Sequence, residues 1–198
     1  MRVIGVKGKL KLIVVATCLF FVFLAGCGKA NYNKTTLEFR KNGNIALHIV
    51  DSFDESKYDF EELKALNEAE INVYNSYGKG KVTVENCSLT DSILNIDICY
   101  GDDDAYFDMN KMVLFYGKVS DAKNAGYNLI GKVTSTQGDG VMEQSAWTNL
   151  ADYRVIVVSE EIEVDVPGKI LYAGEGITLT GANKASVSGE GLHYLICE

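Results

Sequence analysis

Two alternating runs separated by Asn42-Gly43 constrain the fold of this chain more than any other feature. Thr35-Thr36-Leu37-Glu38-Phe39-Arg40-Lys41 precedes the dipeptide and Asn44-Ile45-Ala46-Leu47-His48-Ile49-Val50 follows it. Apolar residues at every second position suit strands, and Asn-Gly tolerates the positive φ angles that a two-residue hairpin turn requires. Such a turn pairs Lys41 with Asn44, Phe39 with Ala46 and Leu37 with His48. One sheet face then holds Leu37, Phe39, Ala46, His48 and Val50. The other carries Ile45, Leu47 and Ile49 opposite Thr36, Glu38 and Arg40, so the second strand is expected inside its sheet.

Further along, Asp59-Phe60-Glu61-Glu62 has the form of a capping box, with Asp59 as N-cap. The helix it opens should run to about Ser76 and stop near Gly78 and Gly80. Leu63, Leu66, Tyr74 and Tyr77 share one face at helical spacing, and Glu70 falls on that face too. Lys81–Glu85 and Ile93–Ile98 read as a second hairpin about Thr90-Asp91-Ser92. A short helix is expected from after Asp102 through Lys111, then a buried strand Met112–Tyr116, then another short helix capped by Ser120 and ending near Gly126. Residues 131–151 are polar and Gly-punctuated, and read mostly as loop. From Tyr153 onward brief strands follow one another: 155–158, 162–166, 170–172, 177–179 and 192–196. Pro167-Gly168 between them suits a type II turn. Gly-Glu-Gly at 174–176 and 189–191 reads as turn punctuation rather than a repeat. The fold class is α+β: one sheet system, mainly antiparallel and built from hairpins, with one main helix packed on it and a strand-rich C-terminal third.

The N-terminus carries a different message. Arg2, Lys7, Lys9 and Lys11 precede an apolar run from Leu12 to Ala25, which ends in Leu24-Ala25-Gly26-Cys27. A basic segment, an apolar segment and small residues before a cut form a secretory leader. The run is shorter than the ~20 residues needed to cross a bilayer core. An uncleaved membrane helix, or an ordinary signal peptide with an incidental thiol at Cys27, are the alternatives. A cysteine directly after Leu-Ala-Gly resembles the lipobox of bacterial lipoproteins. That resemblance implies a diacylglyceryl group on the Cys27 sulfur, cleavage before Cys27, and residence on the outer face of the cell membrane. Two acyl chains, at about 0.8 kcal/mol per buried CH₂, give lasting attachment. The chain then divides into a leader at 1–26, a lipidated tether at 27–34 and one α+β domain at 35–198, of which 151–198 is all-β. Residues Gly28 to Lys34 span about 25 Å when extended, at ~3.3–3.6 Å per residue.

Removing a 26-residue leader from 198 residues leaves 172, with 15 basic against 27 acidic side chains. That size supports one domain with a real core. The net charge of −12 repels nucleic acid and anionic headgroups, so neither is expected as a ligand. Cys87, Cys99 and Cys197 remain after Cys18 and Cys27 are set aside. A turn at 90–92 leaves Cys87 and Cys99 several residues out of register, although a hairpin centred on Ile93 would make them partners. Buried, unbridged thiols are the expectation.

A second resemblance spans most of the mature chain. Tyr58-Asp59-Phe60-Glu61-Glu62-Leu63-Lys64 leading to Tyr74-Asn75, Phe115-Tyr116-Gly117, Ala125-Gly126-Tyr127 and Val166-Pro167-Gly168-Lys169-Ile170-Leu171-Tyr172 are similar to a group of uncharacterised lipoproteins of Gram-positive, clostridia-like bacteria. It implies localisation and single-domain organisation, with no activity attached.

Motifs for chemistry are few. There is no His-Glu-x-x-His, Gly-x-Ser-x-Gly, Cys-x-x-Cys or phosphate-cradling glycine loop, and no cofactor is expected. His48 and His193 both read as sheet or core histidines rather than general bases. Asp102, Asp103, Asp104 and Asp108 form the densest carboxylate group. As weak candidates they suit Ca²⁺, but Asp102 is equally an N-cap and its neighbours favour the helix dipole. Trp147, Glu70 and Tyr74 are the candidate ligand-binding residues: a lone tryptophan as an aromatic platform, and a carboxylate expected beside tyrosine on a packed helix face. These features predict a lipid-anchored extracytoplasmic binding or accessory module without catalysis, with a protein or glycan partner. The rival is a surface hydrolase of envelope or dietary polymers using paired carboxylates. A two-lobed solute-binding protein ranks below both, because 172 residues is small for one.

Overall fold

The computed structural model describes residues 32–78, 80–138, 140–143 and 148–198. Strands β1 (Thr36–Phe39) and β2 (Ile45–Ser52) form the first hairpin, though not with a two-residue turn. The Gly43 amide donates to the Arg40 carbonyl at 3.0 Å and the Arg40 amide to the Asn44 carbonyl at 2.9 Å. Gly43 has φ of 93° while Asn42 has no positive φ. The loop is therefore Lys41-Asn42-Gly43, a three-residue connection closed by a left-handed glycine. Phe39 pairs with Ile45, Leu37 with Leu47 and Thr36 with His48. That is one residue away from the register a two-residue loop implies, and a one-residue slip exchanges the faces. Leu37, Phe39, Ile45 and Leu47 enter the core, while His48 moves to the opposite face with Thr36, Glu38 and Ala46.

Helix α1 (Phe60–Ser76) starts as expected: the Asp59 carboxylate accepts from the Glu62 amide at 3.0 Å. Its buried stripe differs from the expected one. Phe60, Leu63, Ile71 and Tyr74 face the core, whereas Leu66 and Tyr77 are 61% and 71% exposed. Those two lie roughly 100° round the helix from the centre of that stripe, and Glu70 is exposed beside them.

Strands β3 (Val82–Thr90) and β4 (Ile93–Tyr100) join through Asp91 and Ser92, both at positive φ. A bulge between Val84 and Asn86 leaves Glu85 as an extra residue. Cys87 pairs with Ile96 and Cys99 with Thr83, so neither faces the other, and both thiols are free. Asp102 caps α2 (Asp103–Asn110) by accepting from the Ala105 amide at 2.8 Å, and Lys111 ends it in the left-handed region. After β5 (Leu114–Lys118) comes α3 (Val119–Asn124), whose N-cap position is Lys118, not Ser120. The Val119 and Ser120 amides donate to the carbonyls of Tyr153 and Ala151, so backbone takes the place of a capping hydroxyl.

Strand β6 (Val133–Ser135) falls in the stretch expected to be mostly loop, and β11 (Lys184–Val187) was not anticipated either. The others match the expected brief strands: β7 (Arg154–Val158), β8 (Glu163–Asp165), β9 (Ile170–Gly174), β10 (Ile177–Leu179) and β12 (His193–Cys197). Pro167-Gly168 does not form a type II turn, because Gly168 lacks the positive φ required there. A Cβ at Gly168 would lie 2.7 Å from the Glu198 carbonyl, so glycine serves close approach of two backbones instead.

The class is α+β, and mostly antiparallel, but the strands make two sheets rather than one. The first has seven strands in the order β10-β11-β8-β1-β2-β4-β3, with β1 and β8 parallel; the second has five, β5-β7-β12-β9-β6. The inner face of the seven-stranded sheet packs with α1, α2 and the five-stranded sheet in one core that includes Leu37, Phe39, Ile156 and Leu195. The far face of the five-stranded sheet forms a second core with α3 and the segment following it, around Val155, Val157, Leu129 and Met142. β2 lies inside its sheet, as its two apolar faces implied.

Candidate functional site

The outer face of the seven-stranded sheet gathers most of the ionised side chains that touch one another. Alternation sends Glu38 of β1, His48 of β2, Asp97 of β4 and Asp165 of β8 to that face. His48 Nδ1 lies 2.9 Å from Asp97 Oδ1, directly across the ladder, and Nε2 lies 3.1 Å from Glu38 Oε2. A neutral imidazole has one N–H, so both carboxylates are bonded together only by the doubly protonated ring. Arg40 Nε donates to the same Glu38 oxygen at 3.0 Å, and its two terminal nitrogens grip both Glu85 oxygens at 2.8 and 2.9 Å. Glu85 reaches Arg40 because the bulge turns the extra residue toward that face. The bidentate bond holds the Glu85 carboxyl below the usual range and raises Arg40 further.

Tyr32 closes the network from above. Its ring lies 4.4 Å from the His48 ring, and its hydroxyl donates to Asp165 Oδ2 at 3.0 Å. Asp165 also receives Lys184 Nζ at 3.1 Å and Asn183 Nδ2 at 2.7 Å, and Lys34 pairs with Glu163 at 2.9 Å. Burial and then the Asp165 charge push the Tyr32 phenol upward. Beside Arg40, the Cys99 thiol accepts from Asn44, but burial raises its pKa and keeps it protonated, which disfavours nucleophilic use. Burial likewise pushes Cys197 up to about 12.

A separate open groove of about 850 Å³ runs between the β6–β9 side of the five-stranded sheet and β10 of the other. Lys132, Thr134, Thr136, Glu175, Leu192 and Tyr194 line it, with Lys132 Nζ 5.2 Å from the Tyr194 ring. His193 ties two turns together beside it: Nδ1 is 2.8 Å from the Glu175 carbonyl and Nε2 is 3.0 Å from that of Gly189. The two Gly-Glu-Gly segments are thus turns joined by one imidazole. Gly176, at φ of 75°, has no room for a Cβ, which would sit 2.5 Å from His193 Cε1.

The candidates singled out from the sequence are not brought together. Glu70 is exposed, whereas Tyr74 faces the core, and among the described residues its buried hydroxyl has no hydrogen-bond partner. Trp147 and Leu24-Ala25-Gly26-Cys27 lie outside the described residues. Asp102 is engaged as a cap, and Asp103 accepts from the Tyr116 amide at 3.0 Å, with burial raising its pKa. Asp104 and Asp108 do not complete a ligand set: among the described residues no group of three or more His, Cys, Asp or Glu converges to hold a metal. Elsewhere, half-buried Glu160 accepts from the Tyr106 hydroxyl, and desolvation raises both groups. The sheet-face network went unread because the first hairpin's loop is one residue longer than Asn-Gly suggests. A Glu38–Arg40 pair at i, i+2 was its one visible trace. No family model, curated protein or solved structure matches the chain.

Proposed function

We propose that the protein is a lipid-anchored binding or accessory module on the outer side of the cell membrane, contributing recognition rather than catalysis. The leader and Leu24-Ala25-Gly26-Cys27 support the anchor. The observation that carries the recognition reading is the open groove of about 850 Å³, where exposed Leu179 and Leu192 adjoin Lys132, Glu175 and threonine hydroxyls. Apolar surface with a few polar groups is what a peptide or glycan segment needs for affinity and orientation. The ionised groups of the outer sheet face are bonded to one another, whereas the groove sets apolar and hydrogen-bonding groups side by side. Lipidation is tested by mass spectrometry of the N-terminal peptide, which should begin at Cys27 and carry diacylglycerol. An intact leader on cytosolic protein overturns it. Recognition is tested by crosslinking and capture from native membranes. Leu192→Arg should abolish a capture that Leu66→Arg leaves intact, and equal capture by both variants counts against the groove.

A further inference from the structure

The position of Tyr32 determines how an anchored molecule stands on a membrane. Its ring rests on His48 of β2 and its hydroxyl on Asp165 of β8, so it sits over β8, β1 and β2. Those are the three central strands of the seven-stranded sheet, with two strands to either side. Lys34 continues the attachment through Glu163. Four residues, 28–31, separate Tyr32 from Cys27. Five Cα-to-Cα steps span at most about 18 Å. From the middle strand to either sheet edge is three strand spacings, or about 14 Å. The ends of β2 lie three and four residues from His48, about 10–13 Å along the strand. By either route a chain leaving the centre of the face spends more than half its reach before it clears the sheet, with too little left to pass the thickness of the domain.

From this we infer that the outer face of the seven-stranded sheet is turned toward the lipid surface and held within one short tether of its headgroups, leaving the groove and the α3 side turned away. The inference rests on the anchoring reading above. The face meets headgroups without inserting. Glu38, Glu85, Asp97, Glu163 and Asp165 each already contact Arg40, His48, Lys184 or Lys34. Affinity therefore comes from the acyl chains, and the tether supplies orientation. The groove, bounded by β10 and the five-stranded sheet, stays open to a partner approaching from the cell exterior.

The test uses the full lipidated protein in phospholipid vesicles. A fluorescent amino acid is placed by codon suppression at Ser88 or Thr178, on the outer face near either edge, or at Ser120 on the far side of the second sheet. Energy transfer to a headgroup-labelled acceptor lipid is then measured. Stacked layers about 10 Å apart put Ser120 roughly 20 Å farther from the lipid, so transfer from Ser88 and Thr178 should exceed it by about twofold or more. Inserting twenty Gly-Ser residues between Asn31 and Tyr32, a linker of ~25 Å root-mean-square span, should erase the difference without releasing the protein. Equal transfer from all three positions of the anchored protein, or a difference that survives the insertion, overturns the orientation alone. Failure of the anchor itself is read separately, from the mass of the N-terminal peptide and from recovery of Cys27→Ala in the vesicle pellet. Circular dichroism of each labelled protein confirms the fold, and the two outer-face positions serve as independent replicates.

Discussion

The two sheets solve opposite problems with similar strands. In the five-stranded sheet, β7 and β12 are buried on both faces: Val155 through Val158 and Leu195 through Cys197 are fully inaccessible. Ile156, Val158 and Leu195 enter the core between the sheets, while Val155, Val157 and Ile196 enter the core beneath α3. The seven-stranded sheet sends only one face into a hydrophobic core, and its other face is covered by the Glu85–Arg40–Glu38–His48–Asp97 chain of contacts. A strand with two apolar faces is easily recognised as a strand, yet its composition leaves the register open. In a strand with one apolar face, register decides which residues meet solvent.

Truncation should separate the sheets most sharply. Leu195→Ala in β12 should cost about 2–5 kcal/mol in urea denaturation, because a methyl cluster is removed where both faces are packed. Asn95→Ala on the outer face of β4 should stay within about 0.5 kcal/mol. Comparable costs would break the contrast between a doubly buried sheet and a half-solvated one.

Arg40→Met tests whether the outer network adds stability. Removing the guanidinium leaves Glu38 and Glu85 without their shared partner, for an expected loss of about 1–2 kcal/mol at pH 7. The Glu85 carboxyl is held below its unfolded range, so its contribution is complete above the ordinary glutamate pKa. It disappears as pH falls through the lower folded value. The melting temperatures of wild type and Arg40→Met should therefore converge toward pH 3. Half-buried Glu160 has the opposite sign. Its raised pKa favours the protonated form in the fold, so that contribution is lost as pH rises through the folded value. The melting temperature of Glu160→Gln relative to wild type should accordingly increase from pH 5 to pH 8, and a flat difference would contradict the burial of this carboxyl.

Tyr74→Phe should stabilise the protein by up to about 1 kcal/mol, since it deletes a buried hydroxyl that no described residue bonds. A loss on that substitution would mean the hydroxyl has a partner in solution. The smallest effect is expected from reductant. Cys87 and Cys99 occupy different ladder positions, so dithiothreitol should leave the melting temperature unchanged.

How much of this was legible follows from the range of the interactions involved. Local chemistry is legible in the sequence: Asp59 and Asp102 as caps, the turn at 91–92, and the strands of the C-terminal third apart from β11. The errors arose where the outcome depended on a partner distant in the chain. Ser120 lost its capping role to carbonyls of 151 and 153, and Leu66 lost its place in the helix stripe to Ile71. Of the candidate site, Glu70 and Tyr74 lie one turn apart on α1, as their spacing implies, but Tyr74 packs against the core while Glu70 stays exposed at its margin. The sheet-face network and the groove both required strand order, which periodicity does not carry.

Taken alone, the sequence determined the α+β class, the presence of the hairpins, the starts of α1 and α2 and the acidic composition, because each follows from residues within a few positions of one another or from composition. Tertiary structure decided that there are two sheets, that His48 faces carboxylates instead of the core, and that Tyr32 rests at the centre of a sheet. The physical reason lies in the pleat. A single residue in the Lys41-Asn42-Gly43 loop reverses every side chain that follows it, and only the packed core selects between the two outcomes.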